Sequence, residues 1–453
     1  MQTLTRSVPR HVWVAASAWI SRAMVAVVSL LAIRILLQSL GTEHYSIFAI
    51  LSGLTGWFLL FDLGSGFAAQ NYISERRAKH EPYWDFVAAG TILSLALLVL
   101  AAAILFLIAT PTARFLFAQY VDLSPAQKRD LFLVVGFSGT VVALAGFVNK
   151  VWYARQLGFL ANVAPAIGPV IGFILIKFVA ASAITDKLYW SCVAFFAPPA
   201  VLMLIAASTL FPSIARQRFE TIWSNIKLIL RRARGHWLFA VLAAITLKVD
   251  YIVMSQVLRG DDIVSYNIAS MIFTSIFFIY AALLAALWPS CAEAIARNHW
   301  HEIGGYLRRY ISLGIVLIVV ATSLIAFLRP QILHLLSPTT PVSLGPGLIA
   351  IFGVYFVIRV WTDTFGMILQ SISAMKIFLI AVPIEAAIAV VLQIFFVRRF
   401  GPMGIPAALI VAYLCTVSWI MPVTLLRKHQ AAIKSSESNI PPTEADQVTA
   451  LST

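Results

Sequence analysis

The sequence predicts an all-α, polytopic membrane protein with about twelve transmembrane helices in two six-helix bundles. Its 453 residues are 60% hydrophobic and only 11% charged, whereas about 25% of the residues of ordinary soluble domains are charged. Apolar runs of about 20 residues, the length that crosses a bilayer, recur along the chain. The longest polar connection between them, residues 212–235, falls midway. These observations argue against a soluble globular fold.

Twelve apolar runs define the predicted spans. They lie at about 12–39, 44–61, 86–109, 131–149, 157–180, 188–211, 236–257, 263–289, 310–328, 347–370, 377–396 and 403–425. Pro198 and Pro199 predict a kink in the sixth span, because proline removes a backbone donor from a helix. Gly168 and Gly172 predict that the fifth span packs closely against a neighbouring helix.

The distribution of Lys and Arg predicts the orientation. With the N-terminus in the cytoplasm, twenty of the 33 basic residues fall on the inner side, nine fall on the outer side and four lie deep within spans. An excess of basic residues marks the cytoplasmic side of membrane proteins. The prediction is therefore that both termini are cytoplasmic. The same pattern accounts for the net charge of +14 without nucleic-acid binding.

The polar connection, which carries six basic residues, divides the chain into two halves. The predicted units are an N-terminal six-helix bundle (1–211), a basic cytoplasmic linker (212–235), a C-terminal six-helix bundle (236–426) and a disordered cytoplasmic tail (427–453). In each half a Gln is followed by Leu-Gly or Leu-Arg-Gly and then by a Tyr at the start of the next span. The two tyrosines are Tyr45 and Tyr266. A duplicated bundle is a common architecture of secondary transporters.

Motifs for the usual enzyme chemistries are missing from the sequence. The dipeptide Gly-Lys does not occur, so there is no Walker A loop. His301-Glu302 is followed by Gly305 instead of a second His, so the zinc-helix motif fails. The three cysteines lie in apolar segments without the spacing of metal ligands. We therefore predict a protein that is not an enzyme and that has no cofactor and no metal site.

Four basic residues lie deep within predicted spans, and they are the candidate substrate-binding residues: Arg22, Arg34, Lys248 and Arg359. A charge at mid-bilayer costs at least a few kcal/mol, so such residues face water, a bound anion or a partner. Two of them have a simpler explanation. Arg34 is placed to extend toward the outer interface. Arg359 shares a helix face with Asp363, four residues on, so the two are placed to neutralise each other.

Three acidic residues within the spans are candidates for ion coupling: Asp250, Asp363 and Glu385. Lys248 and Asp250 are two residues apart and do not share a helix face, so each needs a partner elsewhere. Glu385 stands alone, two residues after Pro383. It is placed either to bind a proton or sodium ion or to neutralise an arginine in a cavity.

Several short motifs resemble a known family. In the first half they are Leu40-Gly41-x-x-x-Tyr45, Asp62-Leu63-Gly64-x-Gly66-x-Ala68 and Asn71-x-Ile73-Ser74-Glu75; in the second they are Asp250-Tyr251-Ile252, Tyr266-Asn267-Ile268-Ala269, Leu287-Trp288-Pro289 and Gly401-x-x-Gly404-Ile405-Pro406. Together they resemble the bacterial polysaccharide (O-antigen type) lipid-linked oligosaccharide flippases, which belong to the multidrug/oligosaccharidyl-lipid/polysaccharide exporter superfamily.

The resemblance implies a function and a set of partners. It implies a flippase that moves an undecaprenyl-pyrophosphate-linked oligosaccharide repeat unit across the bacterial inner membrane by alternating access, for surface polysaccharide assembly. The implied partners are the lipid-linked oligosaccharide, the bilayer and, further, glycan polymerase and chain-length proteins. On this hypothesis the four intramembrane bases line a central cavity and bind the pyrophosphate, since Arg suits phosphate geometry.

Two alternatives remain open at this point. The first is a cation-coupled multidrug or metabolite antiporter of the same superfamily. Exporters of organic cations favour acidic cavities, and this chain has four intramembrane bases against three acids, which is a narrow margin. The second is a membrane scaffold or glycan polymerase without transport activity, which the short outer loops disfavour.

Overall fold

The computed structural model of the protein describes residues 10–297, 299–337, 342–371 and 374–438. Within these ranges the chain forms α-helices and short 3₁₀ turns, with no β-strand. The helices are α1 (Arg10–Phe58), α2 (Ser65–Ala78), α3 (Trp84–Leu116), α4 (Pro125–Ala145), α5 (Phe147–Ala154), α6 (Gly158–Ala181), α7 (Lys187–Ser208), α8 (Phe219–Lys248), α9 (Asp250–Val257), α10 (Gly260–Ala296), α11 (Trp300–Phe327), α12 (Arg329–Leu336), α13 (Pro346–Ser371), α14 (Met375–Phe400), α15 (Gly404–Cys415) and α16 (Val417–Ser438). The predicted all-α class is confirmed.

Ten helical segments among the described residues are long and apolar enough to cross a membrane, and the protein is therefore a multi-pass membrane protein. Two of these segments are much longer than one crossing requires: Ala16–Asp62 has 47 residues and Ile377–Ala431 has 55. A single crossing takes about 20 residues, so each is long enough to cross twice. Twelve crossings stays a prediction.

Gly41 divides α1 into two arms. Its backbone has φ 73° and ψ 173°, which is not helical. Only glycine adopts this conformation without a steric cost, because it has no Cβ. The break falls between the first two predicted spans, 12–39 and 44–61. We call residues 10–40 the first arm, residues 42–58 the second arm, and this end of the molecule the Gly41 end.

A second break separates α1 from α2. Leu63 and Gly64 both have positive φ, at 52° and 71°. A Cβ at Gly64 would lie only 2.9 Å from the Ala233 carbonyl oxygen and from the Trp237 backbone nitrogen. Gly64 therefore allows both the change of chain direction and the close approach of α8. The motif that begins at Asp62 therefore lies at the contact between this turn and α8.

The predicted linker is largely helical in the structure. After a 3₁₀ turn at Phe211–Arg216, α8 runs without interruption from Phe219 through the rest of the connection and into the seventh predicted span. Its first half packs on the N-terminal part of the chain: Asn225 Nδ2 donates to Asp85 Oδ2 at 2.9 Å. The predicted domain boundaries stay a prediction. Of the predicted tail, 427–438 belongs to α16, and 439–453 lies outside the described residues.

Glycines also let α6 and α7 pack closely, as the sequence predicts for the fifth span. A Cβ at Gly168 would lie 2.6 Å from Pro199 Cα, and one at Gly172 would lie 3.0 Å from the Ala194 carbonyl oxygen. Both positions therefore exclude any larger residue without movement of the backbone opposite. This contact confirms the predicted small-residue packing.

Candidate functional site

A buried polar network joins the two halves of the chain near the Gly41 end. Tyr45 of the second arm of α1 donates its hydroxyl hydrogen to Asn267 Oδ1 in α10, at 2.8 Å. The Asn267 amide donates to the Tyr251 hydroxyl of α9 at 2.7 Å. Tyr266 donates to Asp250 Oδ2, also at 2.7 Å. We call these five residues the interface network. All five are buried.

Asp250 is held firmly within this network. One carboxylate oxygen accepts the Tyr266 hydroxyl, and the other accepts the backbone N–H of Tyr251 at 2.9 Å. Hydrogen bonds of this kind compensate the cost of burying a polar group. Asp250 therefore has a structural role in joining α9 to α10. Its role in ion coupling stays a prediction.

Lys248 lies beside the interface, at the C-terminal end of α8. The backbone oxygen of Lys248 accepts a hydrogen bond from Trp57 Nε1 at 2.9 Å. Its side chain lies against the second arm of α1, because a Cβ at Gly56 would lie 3.1 Å from Lys248 Cγ and 3.2 Å from its Cε. Lys248 is exposed, and within the described ranges its ammonium makes no hydrogen bond or close ion pair, although its charge acts on the Asp250 carboxylate two residues on.

Arg22 and Arg34 both project from the first arm of α1. Arg22 is exposed and Arg34 is half-buried. Among the residues that the structure describes, neither guanidinium makes a hydrogen bond or an ion pair. Twelve residues separate them, so they lie about 18 Å apart along the helix. The first arm therefore carries two charges within an apolar span that no described side chain neutralises.

Arg359 of α13 has a different environment. Its Nη2 forms an ion pair with Asp363 Oδ2 at 3.0 Å. The guanidinium carbon lies 4.4 Å from the ring centroid of Phe277 and 5.6 Å from that of Phe356. Aromatic faces attract cations, more strongly when water is excluded. The structure thus contains the ion pair that the four-residue spacing allows. Binding of substrate by Arg359 stays a prediction.

The two remaining acids line a small cavity in the C-terminal half. This cavity has a volume of about 140 Å³, and its walls include Thr246, Asp363, Glu385 and Tyr413. Glu385 is almost fully buried. The structure therefore brings together two acids that lie 22 residues apart in sequence. No cluster of three His, Cys, Asp or Glu side chains suited to a metal ion occurs in the described part of the chain.

Comparison with known proteins identifies the family. The MatE family matches residues 240–397. An O-antigen export protein of Yersinia pseudotuberculosis is 36% identical over 419 residues, which cover 92% of this chain and 95% of that protein. The chain belongs to the O-antigen transporter family. The resemblance predicted from the short motifs is confirmed.

Solved structures show the same fold. An inward-facing multidrug resistance MATE transporter of the MOP superfamily superimposes with a TM-score of 0.73 at 15% identity, covering 93% of this chain and 99% of that one. The lipid II flippase MurJ, in an inward closed conformation, superimposes with a TM-score of 0.68 at 14% identity, covering 96% and 94%. This chain therefore shares the fold of these two structures.

Sequence reasoning missed the interface network. Tyr45 and Tyr266 stood out as markers of a repeat, and Asn267 as part of a motif, but nothing in the spacing indicated that Tyr45 contacts Asn267. One signal was present: Asn267 is an amide in an apolar span, and such a group needs a partner within the protein. The sequence shows that a partner is required but not which residue supplies it.

Proposed function

We propose that this protein is a flippase for an undecaprenyl-pyrophosphate-linked oligosaccharide repeat unit in the bacterial inner membrane. The observation that carries the proposal is the 36% identity to an O-antigen export protein over nearly the whole of both chains. The proposed direction is from the cytoplasmic to the outer leaflet, for assembly of a surface polysaccharide. Both termini are proposed to be cytoplasmic, in agreement with the distribution of basic residues.

The unpaired cations support this substrate. Arg22 and Arg34 lie in membrane-spanning segments without an acidic partner among the described residues. Lys248 forms no ion pair there, although its charge acts on the nearby Asp250 carboxylate. A pyrophosphate would supply the missing negative charge, and charge-assisted hydrogen bonds to phosphate are among the strong ones. We assign these three residues to headgroup binding. Arg359 is a fourth, weaker candidate, because Asp363 already pairs with it.

Alternating access would be a rocking of the two halves, in which the interface network opens. In the proposed orientation the Gly41 end is the outer side. Release of the substrate to that side requires the hydrogen bond between Tyr45 and Asn267 to break. Transporters built from two repeats commonly move in this way around a site between the repeats.

Asp363 and Glu385 are the proposed ion-coupling residues. They line one cavity within an apolar bundle, where ionisable groups commonly mark proton or ion pathways. The same acidic cavity favours the second candidate function, a cation-coupled antiporter for drugs or metabolites. The comparison with an inward-facing MATE transporter is in accord with that alternative at the level of the fold. Glycan polymerase and chain-length proteins are proposed partners of the flippase.

Deletion of the gene in its native host tests the proposed function. We expect lipid-linked repeat units to accumulate at the inner leaflet and surface polysaccharide to disappear, with both restored by the wild-type gene. Unchanged surface polysaccharide, together with a newly gained sensitivity to cationic drugs, would instead support the antiporter. Quantifying lipid-linked sugars and drug susceptibility in the same strains separates the two functions.

A further inference from the structure

A long apolar groove lies on the exposed side of the N-terminal half, where α8 and α9 pack against it. It has a volume of about 550 Å³. One wall comes from the second arm of α1 and from α3, and the other includes Trp237 of α8 and Ile252 of α9. Thr112 is the one residue on its walls that is neither aliphatic nor aromatic. The groove therefore suits a hydrocarbon ligand.

The groove is as long as the membrane is thick. Along α3 its wall runs from Leu97 to Leu116, which is about 28 Å at the rise of an α-helix. The hydrocarbon core of a bilayer measures about 30 Å. An ordinary phospholipid chain occupies one leaflet, about half of that thickness. A single chain that fills the whole groove must be longer than a phospholipid acyl chain.

Hydrogen bonds join the two walls at three heights. Trp237 Nε1 donates to the Leu60 carbonyl oxygen at 3.1 Å, Trp57 Nε1 donates to that of Lys248 at 2.9 Å, and Gln256 Nε2 donates to that of Phe115 at 2.7 Å. Each bond connects the N-terminal half to α8 or α9. A chain in the groove therefore contacts both moving parts of the transporter.

A cation lies next to this groove. Trp57 lines the groove, and it is bonded to the backbone of Lys248. The Lys248 side chain lies against Gly56, the residue before Trp57. An apolar trough as long as the bilayer, with an exposed lysine next to its wall at Trp57, matches a ligand with a long hydrocarbon chain and an anionic head.

We propose that this groove binds the polyprenyl chain of the transported lipid, with the anionic head at Lys248. The proposal rests on the proposed flippase function and adds the place of the tail. In a bilayer the hydrophobic effect does not favour this site, because lipid chains are as apolar as the groove. Binding arises from close packing and from the attachment of the chain to a head held at Lys248.

Photochemical labelling tests the occupant directly. The purified wild-type protein in liposomes is irradiated with a polyprenyl pyrophosphate that carries a diazirine in the middle of its chain. We expect labelled peptides from residues 97–116, and competition by unlabelled polyprenyl pyrophosphate. Labelling confined to other surfaces would overturn the proposal. So would equal labelling by a diazirine phospholipid that excess polyprenyl pyrophosphate does not displace.

A matched pair of tryptophan variants tests the groove in transport. Leu100 lines the groove and is 55% exposed, whereas Leu107 is 77% exposed on the same helix and does not line it. We expect Leu100→Trp to weaken binding of the long-chain lipid about fivefold, the loss of roughly ten carbon–carbon contacts, and Leu107→Trp to have no effect. Binding of a short-chain analogue should be unchanged in both variants.

The outcomes separate this proposal from the proposed function. If the wild-type protein does not flip the lipid at all, the flippase function fails. If the wild-type protein flips it and Leu100→Trp behaves like Leu107→Trp with both chain lengths, the groove assignment alone is wrong. Expression and thermal stability of both variants are measured first, so that a folding defect is not mistaken for either result.

Discussion

The two halves of this transporter treat their intramembrane charges in opposite ways. In the N-terminal half, Arg22 and Arg34 have no acidic partner among the described residues. In the C-terminal half, Arg359 is paired with Asp363 and lies over aromatic rings, and Glu385 lies in the same region. Unpaired cations are suited to an anionic ligand, whereas a group of opposed charges is suited to a small ion. We infer a division of labour, with substrate binding in the first half and at Lys248, and coupling in the second half.

The largest effect is expected when the unpaired charges are removed together. The Arg22→Ala and Lys248→Ala double variant should reduce flipping about a hundredfold or more, because each charge-assisted hydrogen bond contributes about 1.5–3 kcal/mol. The measurement is surface polysaccharide in a complemented deletion strain, with expression checked. Lys227→Ala, which removes an exposed basic residue of α8, is the control. Normal polysaccharide in the double variant would contradict the assignment of these charges.

Removing the partner of Arg359 should mainly affect stability. Asp363→Asn leaves a half-buried guanidinium without its counter-ion, and we expect a loss of about 2 kcal/mol in the free energy of unfolding. The measurement is thermal unfolding in detergent. The Arg359→Gln and Asp363→Asn double variant should recover part of the loss. If the double variant is less stable than Asp363→Asn alone, the pair is not self-neutralising.

Loss of the buried carboxylate at Glu385 should uncouple transport without preventing it. If one proton moves with each substrate molecule, a gradient of one pH unit supports at most about tenfold accumulation of the substrate. Glu385→Gln should reduce this accumulation ratio to one. Substrate binding without a gradient should persist, since Glu385 lies in the C-terminal half. The measurement is flux in liposomes with imposed gradients. Unchanged gradient-driven flux would remove Glu385 from the coupling site.

Two asparagines at opposite ends of the molecule allow the rocking motion to be tested. Asn267→Leu removes the cross-half hydrogen bond to Tyr45, and Asn225→Leu removes the bond to Asp85. Each bond contributes about 1 kcal/mol, so each variant should change the population of open states about fivefold. We expect only Asn267→Leu to open the Gly41 end.

The accessibility of a buried reporter residue measures this opening. Ser46 is fully buried and lies 3.2 Å from the Cβ position of Gly260 at the start of α10. Ser46→Cys, in a Cys415→Ser background, should react faster with an external impermeant maleimide in Asn267→Leu but not in Asn225→Leu. Equal rates in both variants would show that the interface network does not hold this end closed.

The smallest effect concerns an ion pair outside the spans. Arg232 donates to Glu75 at 2.7 Å, and this hydrogen bond holds the pKa of Glu75 below its usual value. The pair therefore stabilises the fold above the pKa of the unfolded chain, and the contribution disappears as the pH falls through the lower folded pKa. Because both side chains are substantially exposed, the effect is small. Thermal unfolding of wild type and Glu75→Gln should differ slightly at neutral pH and coincide in acid.

Much of the fold could be predicted because the signals are local. A bilayer requires long apolar helices, so hydropathy alone predicts an all-α membrane protein. Gly41 was part of a motif, and it breaks α1 between two predicted spans. The four-residue spacing of Arg359 and Asp363 also allowed their pairing to be anticipated.

The contacts between distant helices could not be predicted in the same way. Tyr45 and Asn267 are 222 residues apart, and many other polar groups in the spans would have suited either of them. Gly53 and Gly56 are small residues that permit close approach, but small residues do not specify which helix approaches. The groove depends on the same packing between distant helices, so the residues of its walls could not be predicted from the sequence.

The connection between the halves has a mechanical consequence. Helix α8 has 30 residues and is about 45 Å long. Near one end Asn225 is hydrogen-bonded to Asp85, and Lys248 lies at the other end. The connection is therefore stiff: tilting α8 at its Phe219 end displaces the Lys248 ammonium at its other end. Its weakest point is Gly235, which has no neighbouring atoms within 4 Å of its Cβ position and where helix propensity is low. A bend at Gly235 would let the C-terminal part of α8 move while the bond between Asn225 and Asp85 is kept.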